Sequence, residues 1–174
     1  KQYMGMVGMH GTYESNMAMH DCDAMVCIGA RFDDRVTGLL SKFAPNSTKI
    51  HVDIDPSSIN KNVPVDIPII GDIAHVLEDM IKIWRSTQAK VDAKALKSWW
   101  TEIDAWRSIE CLKYTQDKKT IKPQYAIDRL YELSKKSKKD TFISTEVGQH
   151  QMWAAQYFHF DKPNRWMTSG GLGT

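Results

Sequence analysis

Hydrophobic positions in the first half of the chain come in short blocks separated by turn residues. Residues 24–30 (AMVCIGA) are almost continuously apolar, the pattern of a strand covered on both faces of a parallel sheet. Residues 49–55 (KIHVDID) alternate, with Ile50, Val52 and Ile54 in step, and predict a second strand. A shorter third strand is expected at 68–70, pushed to the sheet edge by Pro64 and Pro68. Asp72 stands where a helix N-cap belongs, before Ile73, Val76, Leu77, Met80, Ile81 and Trp84. That spacing predicts an amphipathic helix laying one stripe on the sheet. Alternation of strands and helices makes the fold class α/β, with a parallel, Rossmann-like sheet.

The pattern changes near Arg85. Residues 86–120 are polar and lysine-rich, with Trp99, Trp100 and Trp106 in a helical-looking stretch, and read as a helical linker whose tryptophans dock on a neighbouring domain. An aromatic nucleic-acid platform would need a β-sheet context that this stretch lacks. A third region, 121–174, opens with Lys122-Pro123 at a helix start; Ala126, Ile127, Leu130 and Leu133 form the expected buried stripe. Lys135, Lys136, Lys138 and Lys139 then complement the helix dipole. Thr141–Thr145 is expected as a strand, Gly148–Tyr157 as a turn entering a helix, and Ser169–Thr174 as a glycine-rich turn. Ending on such a loop, and opening Lys1-Gln2-Tyr3, the sequence reads as part of a longer protein.

Composition narrows the function classes. Hydrophobic residues make up 42% and charged residues 25%, which excludes wholesale disorder. The 23 basic and 21 acidic residues nearly cancel, so no basic face for nucleic acid is expected. No apolar run approaches the ~20 residues of a membrane helix. Cys22, Cys27 and Cys111 have no paired spacing and are expected to be buried or half-buried free thiols in a reducing cytosol.

Candidate chemistry gathers at the predicted strand ends, where open α/β sheets bind ligands. Gly29 permits close backbone approach, and Arg31 and Arg35 in GARFDDR offer forked donors to phosphate or carboxylate. Asp53 and Asp55 close the next strand, where a carboxylate can accept ribose hydroxyls, and Gly71-Asp72 closes the third. Together these give the layout of a dinucleotide cleft, although no G-x-G-x-x-G is present. Taken singly, each reads first as a surface salt bridge or turn cap; taken together, they favour a nucleotide site. Gly8-Met9-His10-Gly11-Thr12 is a turn opening a helix, and Glu146-Val147-Gly148-Gln149-His150 an open turn after a strand; both can present backbone donors to an anion.

The strings MGMVGMHGTYESNMAMHDCDAMVCIGARFDDRVTG, HVDIDPSSINKNVPVDIPIIGD, EVGQHQMWAAQYF and SGGLGT resemble the acetohydroxyacid (acetolactate) synthase large subunit. FDDRVTG and GQHQMWAAQ distinguish that family from other thiamin-diphosphate enzymes such as glyoxylate carboligase and oxalyl-CoA decarboxylase. The resemblance covers nearly everything except about 85–120. It implies that residues 1–85 are the second half of a central FAD-binding domain and 121–174 the start of a diphosphate-binding domain. By matching motifs, FAD contacts fall on Met9, His10, Gly11, Thr12, Gly29, Arg31, Asp34, Arg35, Asp53, Ile54, Asp72 and Ile73. Thiamin-diphosphate contacts fall on Gln149, His150 and Gly173, and the substrate channel on Met9, His10, Asp34 and Arg35.

The implied activity is condensation of two pyruvates to acetolactate, or of pyruvate with 2-oxobutyrate, releasing CO2 in branched-chain amino-acid synthesis. Implied partners are the 2-oxo acids, further large subunits and a small regulatory subunit, in a bacterial-type cytoplasm. The family's activating glutamate and its Gly-Asp-Gly stretch for Mg2+ have no counterpart here, so no catalytic residue or metal ligand is assigned, and these residues alone are expected to be inactive. Thr174 stands where family members often carry Ala. A nucleotide-binding module of another thiamin, flavin or NAD protein, and a non-catalytic scaffold subunit, are the alternative readings.

Overall fold

A computed structural model of the chain describes residues 2–137 and 139–169. They divide into two compact units. The first comprises Val7–Met9 and Tyr13–Ile109, and the remaining described residues form the second.

The first unit is built on a three-stranded parallel sheet in the order β1 (Ala24–Ile28), β2 (Thr48–Asp53), β3 (Ile67–Ile70). β1 and β2 are each shorter at the C-terminal end than the sequence pattern drew them. The chain leaves the sheet at Gly29, which has φ +60°, and Asp55 caps the next turn, its Oδ1 accepting from Ser57 N at 2.9 Å. β3 is at the edge, as its prolines require. Helices α1 (Tyr13–Asp21), the single turn α2 (Asp34–Thr37), α3 (Ile73–Thr87) and α4 (Ala93–Arg107) complete the unit. Three of these start on an aspartate that accepts from the first turn: Asp33 from Arg35 N, Asp72 from Ala74 N and His75 N, and Asp92 from Lys94 N and Ala95 N. Each cap contributes about 1 kcal/mol.

The core lies on one face of this sheet. Phe32, Phe43, Ala44 and Val63 are buried there, with Met19, Met25, Cys27 and Val65 against them. Phe32 holds φ +50°, a left-handed conformation rare for a bulky side chain, while its ring packs edge-on against Phe43 and His51. The other face corrects an expectation. α3 lies against β2, where Val52 is fully buried, but Val26 and Ile28 of β1 and Ile67 of β3 are exposed. The stripe predicted on α3 exists, yet Leu77, Met80, Ile81 and Trp84 remain accessible, because one helix cannot cover a whole sheet face.

Residues 93–109 group with this first unit, where the sequence reading drew a linker. α4 packs on α1 with Ile103 at its buried centre. Trp99 and Trp106 meet edge-on within α4, and the Arg107 guanidinium sits over Trp100.

In the second unit, α5 (Pro123–Lys136) packs on α6 (Gln149–Tyr157), and β4 (Ile143–Thr145) pairs in parallel with β5 (Trp166–Thr168). β5 was not drawn by the sequence pattern. The stripe expected to be buried on α5 is not: Ala126, Leu130 and Leu133 are exposed and Ile127 is half-buried. Instead α5 docks through Tyr131, whose ring meets Phe158 and His159 edge-on, and through Asp128, which accepts from the Tyr114 hydroxyl. That bond pushes the Tyr114 pKa up to about 12. None of the three cysteines forms a disulfide; Cys22 and Cys27 are half-buried, whereas Cys111 is exposed, contrary to expectation. Among the described residues, no helix is long and apolar enough to cross a membrane.

Candidate functional site

The three strand ends of the first unit converge through backbone hydrogen bonds. Gly29 N donates to Val52 O at 2.9 Å, and Gly71 N donates to Asp53 O at 3.0 Å. Gly29, Asp53 and Asp72 are thereby brought to one edge of the sheet. Gly29 has φ +60°, a conformation that side chains disfavour, while an added Cβ would lie 2.9 Å from Ile73 Cδ1, the movable end of a side chain where the end of β1 meets the start of α3. Asp53 Oδ1 accepts from Asp55 N at 2.9 Å, which fixes the carboxylate at the end of β2. The Oδ1 of Asp72 is already engaged as the cap of α3, so much of its role is structural. Ile54 is 68% exposed beside Asp53. Burial raises the pKa of the Cys27 thiol, and the Asp53 charge pushes the same way.

A second cluster forms around Arg35. Met9 N donates to Arg35 O at 2.8 Å, and Arg35 Nη1 lies 3.9 Å from Met9 Sδ. Gly8 makes this approach possible: it has φ +93°, and a Cβ there would sit 2.5 Å from Arg35 O. Asn16 locks the turn, accepting from Gly8 N at 2.7 Å and donating to Gly8 O at 2.9 Å. Arg35 and Asp34 stand 3.7 Å apart with both side chains largely exposed, a pairing that contributes only ~0–1 kcal/mol to stability. Both charges thus remain available to a ligand. Arg31 is exposed too, and its carbonyl accepts from Asn62 Nδ2 at 3.0 Å, which holds the loop after β1. The groove beside this loop has a volume of about 640 Å³ and is lined by Arg31, Asp34, Ser58, Lys61 and Asn62 among others.

The remaining assigned residues lie in the second unit. His10 O accepts from Gln156 Nε2 at 2.8 Å. Thr12 is buried, with its hydroxyl donating to Met4 O at 2.7 Å, so its side chain is committed to the fold. Gly11 lies between them. Gln149 and His150 are exposed in the first turn of α6, whose N-cap, Gly148, offers no side-chain acceptor. Gln151 N donates to Gly148 O at 3.1 Å, and the N–H groups of Gln149 and His150 before it face no capping side chain, so they can meet an anion. Gln151 connects the turn to β5, donating to Thr168 Oγ1 at 2.7 Å and Ser169 O at 2.6 Å. Gly173 lies outside the described residues.

Sequence reasoning missed Asn16, His51, Asn62 and Gln151. Asn62 and Gln151 act on partners 17 to 31 residues away, which no local spacing reveals, and Asn16 reaches back eight residues to Gly8; His51 merely continues the β2 alternation.

Comparison with known proteins finds similar chains. The chain is 49% identical over its full 174 residues to the acetolactate synthase isozyme 3 large subunit of Escherichia coli (strain K12), covering 30% of that relative. The chain is a homologue of acetolactate synthase large subunits. It is 47% identical over its full length to the large subunit of Haemophilus influenzae, covering 30% of it. With that of Cyanidium caldarium it shares 41% over 172 residues, 99% of this chain and 28% of the relative. Residues 1–80 match the central domain of thiamine pyrophosphate enzymes, and residues 146–174 match their C-terminal TPP-binding domain. The chain thus spans about 30% of the length of the large subunits it matches.

Proposed function

We propose that this chain is the part of an acetolactate synthase large subunit that carries FAD contacts of the central domain and the first thiamin-diphosphate contacts of the next. The observation that carries the reading is the 49% identity sustained over the whole chain. The proposed reaction joins two pyruvates as acetolactate, or pyruvate and 2-oxobutyrate as acetohydroxybutyrate, with loss of CO2. We keep the domain bounds read from the sequence, 1–85, 86–120 and 121–174, as part of this proposal.

The donor set of the first unit suits a dinucleotide such as FAD. Arg31 and Arg35 present exposed guanidiniums, which match a diphosphate as planar forks. Asp53 presents a carboxylate, fixed by a backbone N–H, for the hydroxyls of the ribose or ribitol. Gly29 leaves the backbone bare where the isoalloxazine-bearing nucleotide must approach closely, and Ile54 and Ile73 add apolar contact. FAD is not reduced and reoxidised in the main reaction of the resembled family, so its site here organises the fold. In the second unit, Gln149, His150 and Gly173 would hold thiamin diphosphate, with the uncapped start of α6 favouring its negative charge. Thiamin diphosphate with Mg2+ would supply the nucleophilic carbon for 2-oxo acids when bound.

Met9, His10, Asp34 and Arg35 are proposed to line the substrate channel. There Arg35 would orient the carboxylate of the incoming 2-oxo acid through two parallel hydrogen bonds. Homo-oligomers and a small regulatory subunit are the proposed partners. The test is calorimetric titration with FAD of the protein produced from its complete gene. Asp53→Ala is expected to weaken binding by about 1–3 kcal/mol, whereas Cys27→Ala lowers stability with little change in affinity. Unchanged affinity in the Asp53 variant removes the strand-end assignment.

A further inference from the structure

The most anomalous polar group in the described structure is His51. It is fully buried in the middle of β2, opposite Cys27 of β1 and Pro68 of β3. Its ring meets Phe32 edge-on at 5.2 Å. Neither ring nitrogen has a hydrogen-bond partner. A buried imidazole with both nitrogens unpaired carries a desolvation cost that an aromatic hydrocarbon in the same place would avoid. Simple core filling therefore does not account for it.

Its neighbour does. Strand alternation puts His51 and Asp53 on the same face of the sheet, and Nε2 lies 3.8 Å from Asp53 Oδ2. That is outside hydrogen-bond range but close enough for a small shift to close. The other carboxylate oxygen, Oδ1, is held by Asp55 N. Lys49, the cation on the same strand face, is committed elsewhere, its Nζ donating to Ala44 O and Ser47 O at 2.8 and 3.0 Å. Asp53 Oδ2 thus has the unsatisfied imidazole as its facing polar group.

We propose that His51 is the positioning residue for Asp53: its Nε2–H donates to Oδ2 when the carboxylate engages a ligand's hydroxyls, locking the carboxylate plane from beneath. This rests on the reading that Asp53 meets the hydroxyls of FAD, and adds to it the group that holds that acid in place. The imidazole acts as a neutral donor in the Nε2–H tautomer, so no charge need be buried. It touches neither cofactor nor substrate.

The test uses the protein from its complete gene, with circular dichroism to verify folding. His51→Phe keeps the edge-on contact with Phe32 and removes the donor; His51→Gln keeps an N–H. FAD affinity is read by flavin fluorescence for both, for Asp53→Asn, and for the double variant His51→Phe/Asp53→Asn. Ring ¹⁵N signals of labelled histidine are read at saturating FAD. His51→Phe is expected to weaken FAD binding about tenfold or more, His51→Gln to restore most of it, and the double variant to bind no worse than Asp53→Asn. The His51 signals should report the Nε2–H tautomer and move on Asp53→Asn. Additive losses in the double variant, or ring signals indifferent to Asp53→Asn, overturn the proposal. If Asp53→Asn alone leaves FAD affinity unchanged, the hydroxyl reading fails instead, and the ring signals by themselves decide the His51–Asp53 contact.

Discussion

Substituting Gly8 by alanine tests whether the turn before α1 is built onto Arg35. Two costs add at this position. The backbone has φ +93°, where an L side chain is strained by about 1–3 kcal/mol. A new Cβ would also lie 2.5 Å from Arg35 O and 3.1 Å from Val36 Cα. Both are backbone atoms, so no side-chain rotation relieves the clash. The turn must withdraw, and the Met9 N to Arg35 O bond is lost with it, at about 1 kcal/mol. The expected destabilisation is about 2–4 kcal/mol. Gly38 supplies the control: it has φ +58°, but a Cβ there meets nothing within 4 Å. Gly38→Ala should therefore show the conformational cost alone, about 1–3 kcal/mol. Urea unfolding of both variants, at matched slopes, measures the difference. Equal destabilisation by Gly8→Ala and Gly38→Ala would refute the close approach between Gly8 and Arg35.

Other expectations are narrower. On the proposed channel reading, Arg35→Lys in the protein from its complete gene keeps the charge and loses the fork, so it should raise the pyruvate requirement or slow turnover while thermal melts stay unchanged, since the exposed Asp34 pairing contributes little; wild-type kinetics on both counts would favour a mere surface ion pair. Asn62→Ala frees the Arg31 carbonyl and should weaken FAD binding several-fold, about 1 kcal/mol, read by the same titration as Asp53→Ala. Tyr114 gives a pH signature: with its pKa raised to about 12 by the bond to Asp128, the folded state holds a proton that the unfolded state releases near pH 10. Its stabilisation is complete below pH 10 and fades as pH rises towards 12, so Tyr114→Phe should flatten the alkaline loss of melting temperature. An identical alkaline slope in the variant would contradict the bond.

Local rules accounted for what is local. The β1, β2 and β3 runs, the Asp72 cap and the proline start of α5 all follow from residue type and spacing within a few positions; the caps Asp33 and Asp92 were not drawn from the sequence. Neighbouring residues alone determine hydrophobic period, capping and φ restriction. The family resemblance was also legible, because strings such as FDDRVTG and GQHQMWAAQ are long enough to be distinctive. Burial was not. Periodicity marks which side of α3 and α5 is apolar, but whether Leu77, Trp84 or Leu133 is covered depends on which elements lie opposite, and here most of each stripe stays exposed.

The site divides in the same way. Sequence alone placed Gly29, Arg35, Asp53 and Asp72 at the ends or entrances of elements, where open sheets bind ligands. Only the tertiary structure joined Met9 to Arg35, tied Asn62 to the Arg31 carbonyl, and set the unpaired His51 ring beneath Asp53. Met9–Arg35 and Arg31–Asn62 meet across more than two dozen intervening residues, and the hydrogen-bonding state of His51 depends on what packs over the face of β2. A sequence records which groups a chain carries; their distances and unsatisfied valences exist only once distant segments have packed together.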